Sequence, residues 1–576
     1  MPVCNANVSS EEYADFILRH GYRNPAQVIE IAGTNCVDIV DREYAIVYSS
    51  LSGILPLSLS HHSYMSIPKI YGLQDTTALE SAGILPVFEQ PAINATGRGV
   101  LMGMIDTGIE YTNPLFRLSD GSSRILGIWD QTITPPSEGR EVSLEEGQFQ
   151  PLYGTFYSKE EIDLALISED PYLIVPSRDT DGHGTFMAGT AAGGRIDQPA
   201  PYSGAAPEAS LLIVKLKPAK QYLRDFFLIR PDIPAFQEND IMMAVQYLLE
   251  RARHFRMPLV IYLGVGTSQG NHDGTSPLGL QLQKLEGYIG LASVVGAGNE
   301  VGYHHHFLGN VTPEQEFEDV ELRVGAEEAG FSLEMWSREP ELYTVGFISP
   351  SGAKVDRVPL ILGDEAQLSF RLDTTTITVN YRTAEAGTGS QLIFMRFQTP
   401  APGIWHIRVY PYRSINGQFH MWLPMHGFIS DQTIFLRPNP DTTITDPGNA
   451  AQPLTISTYD HVSNSIYIHS SRGYTRSGRI RPDLAAPGVN VQGPALTQPQ
   501  MTRRTGASIA AAITAGAVAD LFTWGIVDGN QPTLSNSAIT SILTRGAVQN
   551  PALTYPNREW GYGTLNLYNS FLSLRE

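Results

Sequence analysis

The sequence predicts an α/β fold: a parallel sheet with helices on both faces, plus a small α+β unit at the N-terminus and an inserted β-sandwich or jelly-roll unit. Three observations predict it. Near-continuous apolar runs at 99–105, 211–216, 258–263 and 291–297 alternate with helical stretches, notably 240–254 and 277–286. Strands apolar along their whole length belong to a parallel sheet covered on both sides. From about 312 to 435 the texture changes to short alternating runs, FSLEMW, LYTVGFI, AQLSFRL, TTITVNY, QLIFMRF and IWHIRVY, separated by Gly, Pro and Asp turns. That is the texture of an antiparallel sandwich. After about 440 the first pattern resumes, with a long small-residue helix at 508–523.

Taken in order, residues 1–74 form the N-terminal unit, in which EEYADFILRH (11–20) reads as a helix and CVDIVDREYAIVY (36–48) as one or two strands. Residues 75–311 and 439–576 are the two parts of the α/β core, and 312–438 the insertion. A chain of 576 residues with 42% apolar and 17% charged content can bury a large core. Its net charge of −20 gives no electrostatic footprint for nucleic acid or an anionic membrane. No uninterrupted apolar run approaches a membrane span. The opening MPVCNANVSSEEYADF lacks the cationic-then-apolar pattern of a signal peptide, so an intracellular protein is expected. The only cysteines, Cys4 and Cys36, are expected to be reduced thiols.

Three segments carry chemistry. In GVLMGMIDTGIE, Asp106 ends an apolar strand, and strand C-termini of a parallel sheet border the crevice where sites form. Alone it reads as a turn-capping aspartate. In DTDGHGTFMAGTAAGG, His183 starts a helix among small residues that admit close backbone approach. In RRTGASIAAAITAGAVADLF, Ser508 opens an Ala/Gly-rich helix, where backbone N–H groups favour developing negative charge. Alone it reads as an N-cap.

The chain order Asp, His, Ser is one of the orders of the serine triad. All three contexts, with SGAAPEASLLIVKL, AGNE (297–300), LAAPGVNV (484–491) and WGYGTLNL (560–567), make residues 75–310 and 440–576 resemble subtilisin-like serine peptidases. More narrowly, YGTFYSKEEIDLAL, TSQGNHDGTSPL, GASIAAAITAG and the β-rich insertion resemble the Csp germination proteases of clostridial spores. The resemblance implies Ser508 as nucleophile, His183 as general base and acid, and Asp106 as the group that orients the imidazole. It also implies Asn299 as the side-chain donor of the oxyanion hole, and Leu263-Gly264-Val265 and Gly296-Ala297-Gly298 as segments flanking the S1 pocket. An added substrate strand pairs there through main-chain hydrogen bonds.

The resemblance further implies a serine endopeptidase of limited proteolysis that uses no cofactor and acts on a protein or peptide substrate. Residues 1–74 would be a pro-segment serving as chaperone and inhibitor, with self-cleavage between about Met65 and Asp75. The natural target would be a spore cortex-lytic zymogen, and the location intracellular or spore-associated in a spore-forming bacterium. Two positions depart from the family pattern. Ala507 stands where Thr precedes the serine, and Ala512 where Pro follows it.

His304-His305-His306 reads as a polar loop leaving the core, since neighbours on a strand point to opposite faces and do not converge on one metal ion. GVGTSQG (264–270) lacks the Gly-Lys-Ser/Thr ending of a phosphate loop. Arg503-Arg504 reads as solvated charge, and no calcium-loop pattern is found. The competing readings are a catalytically idle scaffold that binds a protein partner, and a secreted degradative protease. The complete triad weighs against the first and the missing signal pattern against the second.

Overall fold

The computed structural model describes residues 3–574 apart from 5–7, 22, 53, 74–78, 80, 89, 91–92, 94, 135–139, 142–148, 150, 197–201, 313, 362–364 and 498–499. A nine-stranded sheet forms the core. Its order is Ser465–Ile466, Leu454–Asp460, Leu291–Gly296, Leu259–Leu263, Leu101–Asp106, Ser210–Lys215, Ile125–Asp130, Thr155–Ser158, with Leu484–Pro487 also pairing to Leu454–Asp460. The interior pairs are parallel, while the short strands Thr155–Ser158 and Ser465–Ile466 are antiparallel at the edges. Strands Ile125–Asp130, Leu454–Asp460 and Leu484–Pro487 were not expected. Buried Thr455, Ser457 and Thr458 give the second of them a polar composition that hides its place in the core.

Period-2 alternation sorts the side chains. Met102, Met104, Val260 and Tyr262 pack with the helices His183–Ala192 and Ala507–Phe522. Leu101, Ile105, Leu259, Ile261 and Leu263 pack with Glu238–Phe255 and Pro277–Gln283 on the other face. Every residue of Ala507–Phe522 is buried, so its alanines and glycine let it lie close against sheet and helix alike. Ala507–Val527 is apolar and long enough to cross a membrane, yet 89% of the relevant window is enclosed by the protein.

The N-terminal unit is a three-stranded antiparallel sheet in the order Tyr13–Arg19, Tyr44–Ser50, Val37–Ile39. The helix Pro25–Ala32 seats Val28 against Val37, Ala45 and Val47. Residues 11–20, expected as a helix, are therefore mostly a strand. This strand is sandwiched: Leu18 faces its own helix while Ile17 enters the catalytic core. Burial on both sides gives the run a spacing that mimics helical periodicity. Cys36 is disulfide-bonded. The expectation of reduced thiols is thus overturned. Strand Val3–Cys4 pairs antiparallel with Arg140–Glu141 of the core.

The insertion is a sandwich of two antiparallel sheets. One runs His306–Asn310, Gln418–Trp422, Gly330–Ser337, Gln391–Gln398, Thr375–Arg382, Glu365–Phe370; the other Lys354–Val355, Leu342–Ile348, Gly403–Arg413, Glu318–Val324, Ile434–Phe435. Leu333, Met335, Ile377 and Met395 of the first meet Val320, Leu322, Val345 and Ile407 of the second. The unit starts at 306 and not at 312. The histidine run is correspondingly no polar loop: His305 and His306 are buried, and His306 begins the first strand.

Candidate active site

Three elements deliver three side chains to one point. Asp106 is the last residue of the central strand, His183 the first of its helix, and Ser508 the second of the long buried helix. Asp106 Oδ1 lies 2.7 Å from His183 Nδ1, and His183 Nε2 lies 3.2 Å from Ser508 Oγ. All three are essentially closed to solvent, at 1%, 1% and 0% exposure. The carboxylate holds the imidazole with Nε2 toward the hydroxyl and stabilises the imidazolium that forms when the serine proton is taken. Asp106 Oδ1 also accepts the Thr107 amide at 2.7 Å, which fixes the carboxylate plane. Two glycines make the approach possible. A Cβ at Gly264 would collide with Asp106 Oδ2, and one at Gly184 with the Gly108 carbonyl.

Residues that sequence reasoning did not single out hold this arrangement. Asp179 accepts the amides of Asp181 and Gly182 and the Thr107 hydroxyl through Oδ1, and the amide and hydroxyl of Thr185 through Oδ2. It satisfies the first turn of the His183 helix, whose Gly182 cap has no side chain to do so. The Thr107 hydroxyl in turn accepts the Gly184 amide at 2.9 Å. Tyr262, buried in the neighbouring strand, donates its hydroxyl to the Ser508 carbonyl at 3.0 Å. Asp179 lies four residues before His183 in the segment DTDGHGT, and the run of Asp and Thr around the histidine was its signal.

Asn299 follows the strand Leu291–Gly296, and its Oδ1 accepts the Ala507 amide at 3.1 Å. That bond fixes which atom of the carboxamide accepts, so the NH2 group is the one that can donate to a ligand oxygen. Ala507 therefore contributes through its backbone, and Ala512 lies inside an unbroken buried helix. The remaining predicted residues fall into two groups. Leu263, Gly264 and Val265 lead out of the sheet next to Asp106 and are buried. Gly296, Ala297 and Gly298 are tied inward: Gly296 is in register with Ile456, Ala297 binds Ile456 and Thr445, and the Gly298 carbonyl accepts the Ser471 amide. On that side they are paired with the segments that follow the insertion.

The free edge at 265–266 is taken by the chain itself. Strand Ile70–Leu73 runs antiparallel to Val265–Gly266, with Leu73 opposite Val265 and Gly72 opposite Gly266, and on its other side Tyr71 is opposite Phe236. Leu73 is thus the residue of this strand nearest in register to Gly264, which packs against Asp106. Among the described residues no group of three or more His, Cys, Asp or Glu is placed to hold a metal ion.

Comparison with known proteins gives the following. A model of the subtilase family matches residues 97–230 and 431–563, the two stretches on either side of the insertion. The CspB protease of Clostridium perfringens is 28% identical, with 87% of this chain and 98% of that chain covered at a TM-score of 0.75. The epidermin leader peptide processing serine protease EpiP of Staphylococcus aureus is 13% identical, covering 98% and 99% at a TM-score of 0.44. MycP1 of Mycobacterium smegmatis is 15% identical, covering 87% and 88% at 0.36. No curated protein sequence matches.

Proposed function

As a subtilisin-like serine endopeptidase of the subtilase family, this chain needs a peptide to cut, and we propose that the first one is its own N-terminal segment. The observation that carries this reading is the strand Ile70–Leu73 lying along the 265–266 edge, in the manner of a bound substrate, ahead of a hydrogen-bonded triad. The scissile bond then falls just beyond Leu73, at the C-terminal end of the expected 65–75 window. Residues 64–70 fill a different role. Tyr64, Ile67 and Ile70 are packed in a core shared with Trp336 and Phe394 of the insertion, and Lys69 Nζ is bonded to the carbonyls of Tyr64 and Ile67.

After cleavage the segment remains seated as inhibitor, which accounts for a nucleophile with no exposed surface. The mature enzyme acts by limited proteolysis through an acyl-enzyme. Its target is a spore cortex-lytic zymogen met inside a spore-forming bacterium, a reading supported by the likeness to the CspB protease. Mass spectrometry of purified wild type and Ser508→Ala tests the self-cleavage. Wild type is expected as two fragments parting just after residue 73, and the variant as one intact chain. An N-terminal fragment of equal abundance in both would overturn it.

A further inference from the structure

A second site lies at the seam between insertion and catalytic core, in residues the catalytic reading does not use. We propose that a cavity of about 220 Å³ there binds a small oxyanion-bearing molecule, a carboxylate or a phosphate. Its floor is formed by Arg476 of the core and by His420 and Glu341 of the insertion, and its rim by Arg338, Asn416 and Gln418.

The Arg476 side chain is 2% exposed. Its Nε and Nη2 donate to Asp273 Oδ2 at 3.0 and 2.6 Å, and Nη2 also to Ser390 Oγ at 2.9 Å. Nη1 is buried and has no hydrogen-bond partner. A buried guanidinium donor left unpaired is costly, and an oxygen acceptor from a ligand would satisfy it. Glu341 does not supply that acceptor. Its Oε1 takes the amides of Ile415 and Asn416, and its Oε2 the Tyr343 hydroxyl and the Gly417 amide. Glu341 keeps its negative charge, which Arg338 at the mouth of the cavity offsets, so the unpartnered Nη1 of Arg476 is left for a ligand oxygen to satisfy.

His420 lines the same cavity. Its Nδ1 is 3.0 Å from His306 Nε2. Burial, reinforced by His306, Arg476, His272 and Arg338, pushes its pKa well below the usual histidine range. His306 Nδ1 donates to the Asn439 carbonyl at 3.0 Å, so its Nε2 accepts from His420 Nδ1, and the neutral His420 ring adds no charge to the cavity. The site thus matches one anionic head of carboxylate or phosphate size, with Asn416 and Gln418 for its polar periphery.

Titration calorimetry and thermal unfolding of the full-length Ser508→Ala chain test this, with sodium phosphate, sodium acetate and sodium chloride at matched ionic strength. Phosphate or acetate is expected to bind and raise the unfolding midpoint in a saturable way while chloride does neither; which of the two binds more tightly assigns the class. Arg338→Gln, an exposed change, is expected to weaken binding roughly 10- to 100-fold. Asn416→Trp, which fills the mouth, is expected to abolish binding without changing the ligand-free midpoint. Equal effects of all three salts, no binding by either oxyanion, or wild-type binding by both variants would overturn the proposal.

Discussion

Replacing Asp15 by alanine tests how the N-terminal unit is fastened. Asp15 is wholly buried at the contact with the core. Its carboxylate accepts from Lys220 Nζ at 2.5 Å, Gln237 Nε2 at 2.8 Å and Asn239 Nδ2 at 3.3 Å, and lies 3.8 Å from Lys217 Nζ. Its backbone amide and carbonyl are both bonded to the Tyr222 hydroxyl. Lys220 also donates to the carbonyls of Val8 and Tyr13, so one ammonium ties three points of the segment. Asp15→Ala leaves Lys220 buried without a carboxylate, whereas Lys217 keeps Asp240 at 2.6 Å.

Removing one partner from a buried ion pair costs about 3–5 kcal/mol, which is roughly a 10²- to 4 × 10³-fold increase in the population of the undocked segment. Amide exchange of the Tyr13–Arg19 and Tyr44–Ser50 strands, measured in the Ser508→Ala background so that the chain stays whole, reads that population directly. Exchange within threefold of the parent would refute the reasoning. The double change Asp15→Leu with Lys220→Met removes the orphaned charge and is expected to recover at least half of the loss.

Two further outcomes are expected. Asn299→Ala should slow release of the N-terminal fragment by about 10²- to 10³-fold, because one of two oxyanion donors is lost; a rate within fivefold, followed by mass spectrometry, would remove Asn299 from the hole. His272 and His306 are pushed by burial to about 4 and about 3, below the ~6.5 of an unfolded histidine. The stability they confer as neutral rings is complete above about pH 6.5 and is lost as pH falls toward 4 and 3, at about 1.4 kcal/mol per unit for each ring. Urea unfolding should therefore show a drop of roughly 2 kcal/mol per ring by pH 5, and His272→Gln should flatten it; a midpoint equal at pH 5 and 7 would exclude the effect.

The triad was legible because each member sits in a motif whose small residues are dictated by backbone approach, such as Gly184 against the Gly108 carbonyl. Motifs of that kind survive where composition is uninformative. What escaped depends on contacts distant in sequence. Tyr262 is an ordinary strand residue until the Ser508 carbonyl is beside it. Asp15 reads as a surface acid until Lys220, 205 positions away, encloses it. The strand Tyr13–Arg19 was misread because one of its faces is completed by another unit, and the oxidised state of Cys36 because two cysteines in a chain with no signal pattern read as reduced thiols.

The insertion interrupts the sheet at a sensitive place, since Leu291–Gly296 must pair with Leu454–Asp460 on the far side of it. Its two ends nevertheless meet: the Phe435 amide is 3.0 Å from the His304 carbonyl and the Asn439 amide 2.8 Å from that of His306. During synthesis, a sandwich that folds as it leaves the ribosome converts a long excursion into a short tether. The remaining closure then costs on the order of 1–2 kcal/mol less than for an unstructured loop of the same length. The nucleophile-bearing helix, made after the insertion, arrives at a core whose gap has already been drawn shut.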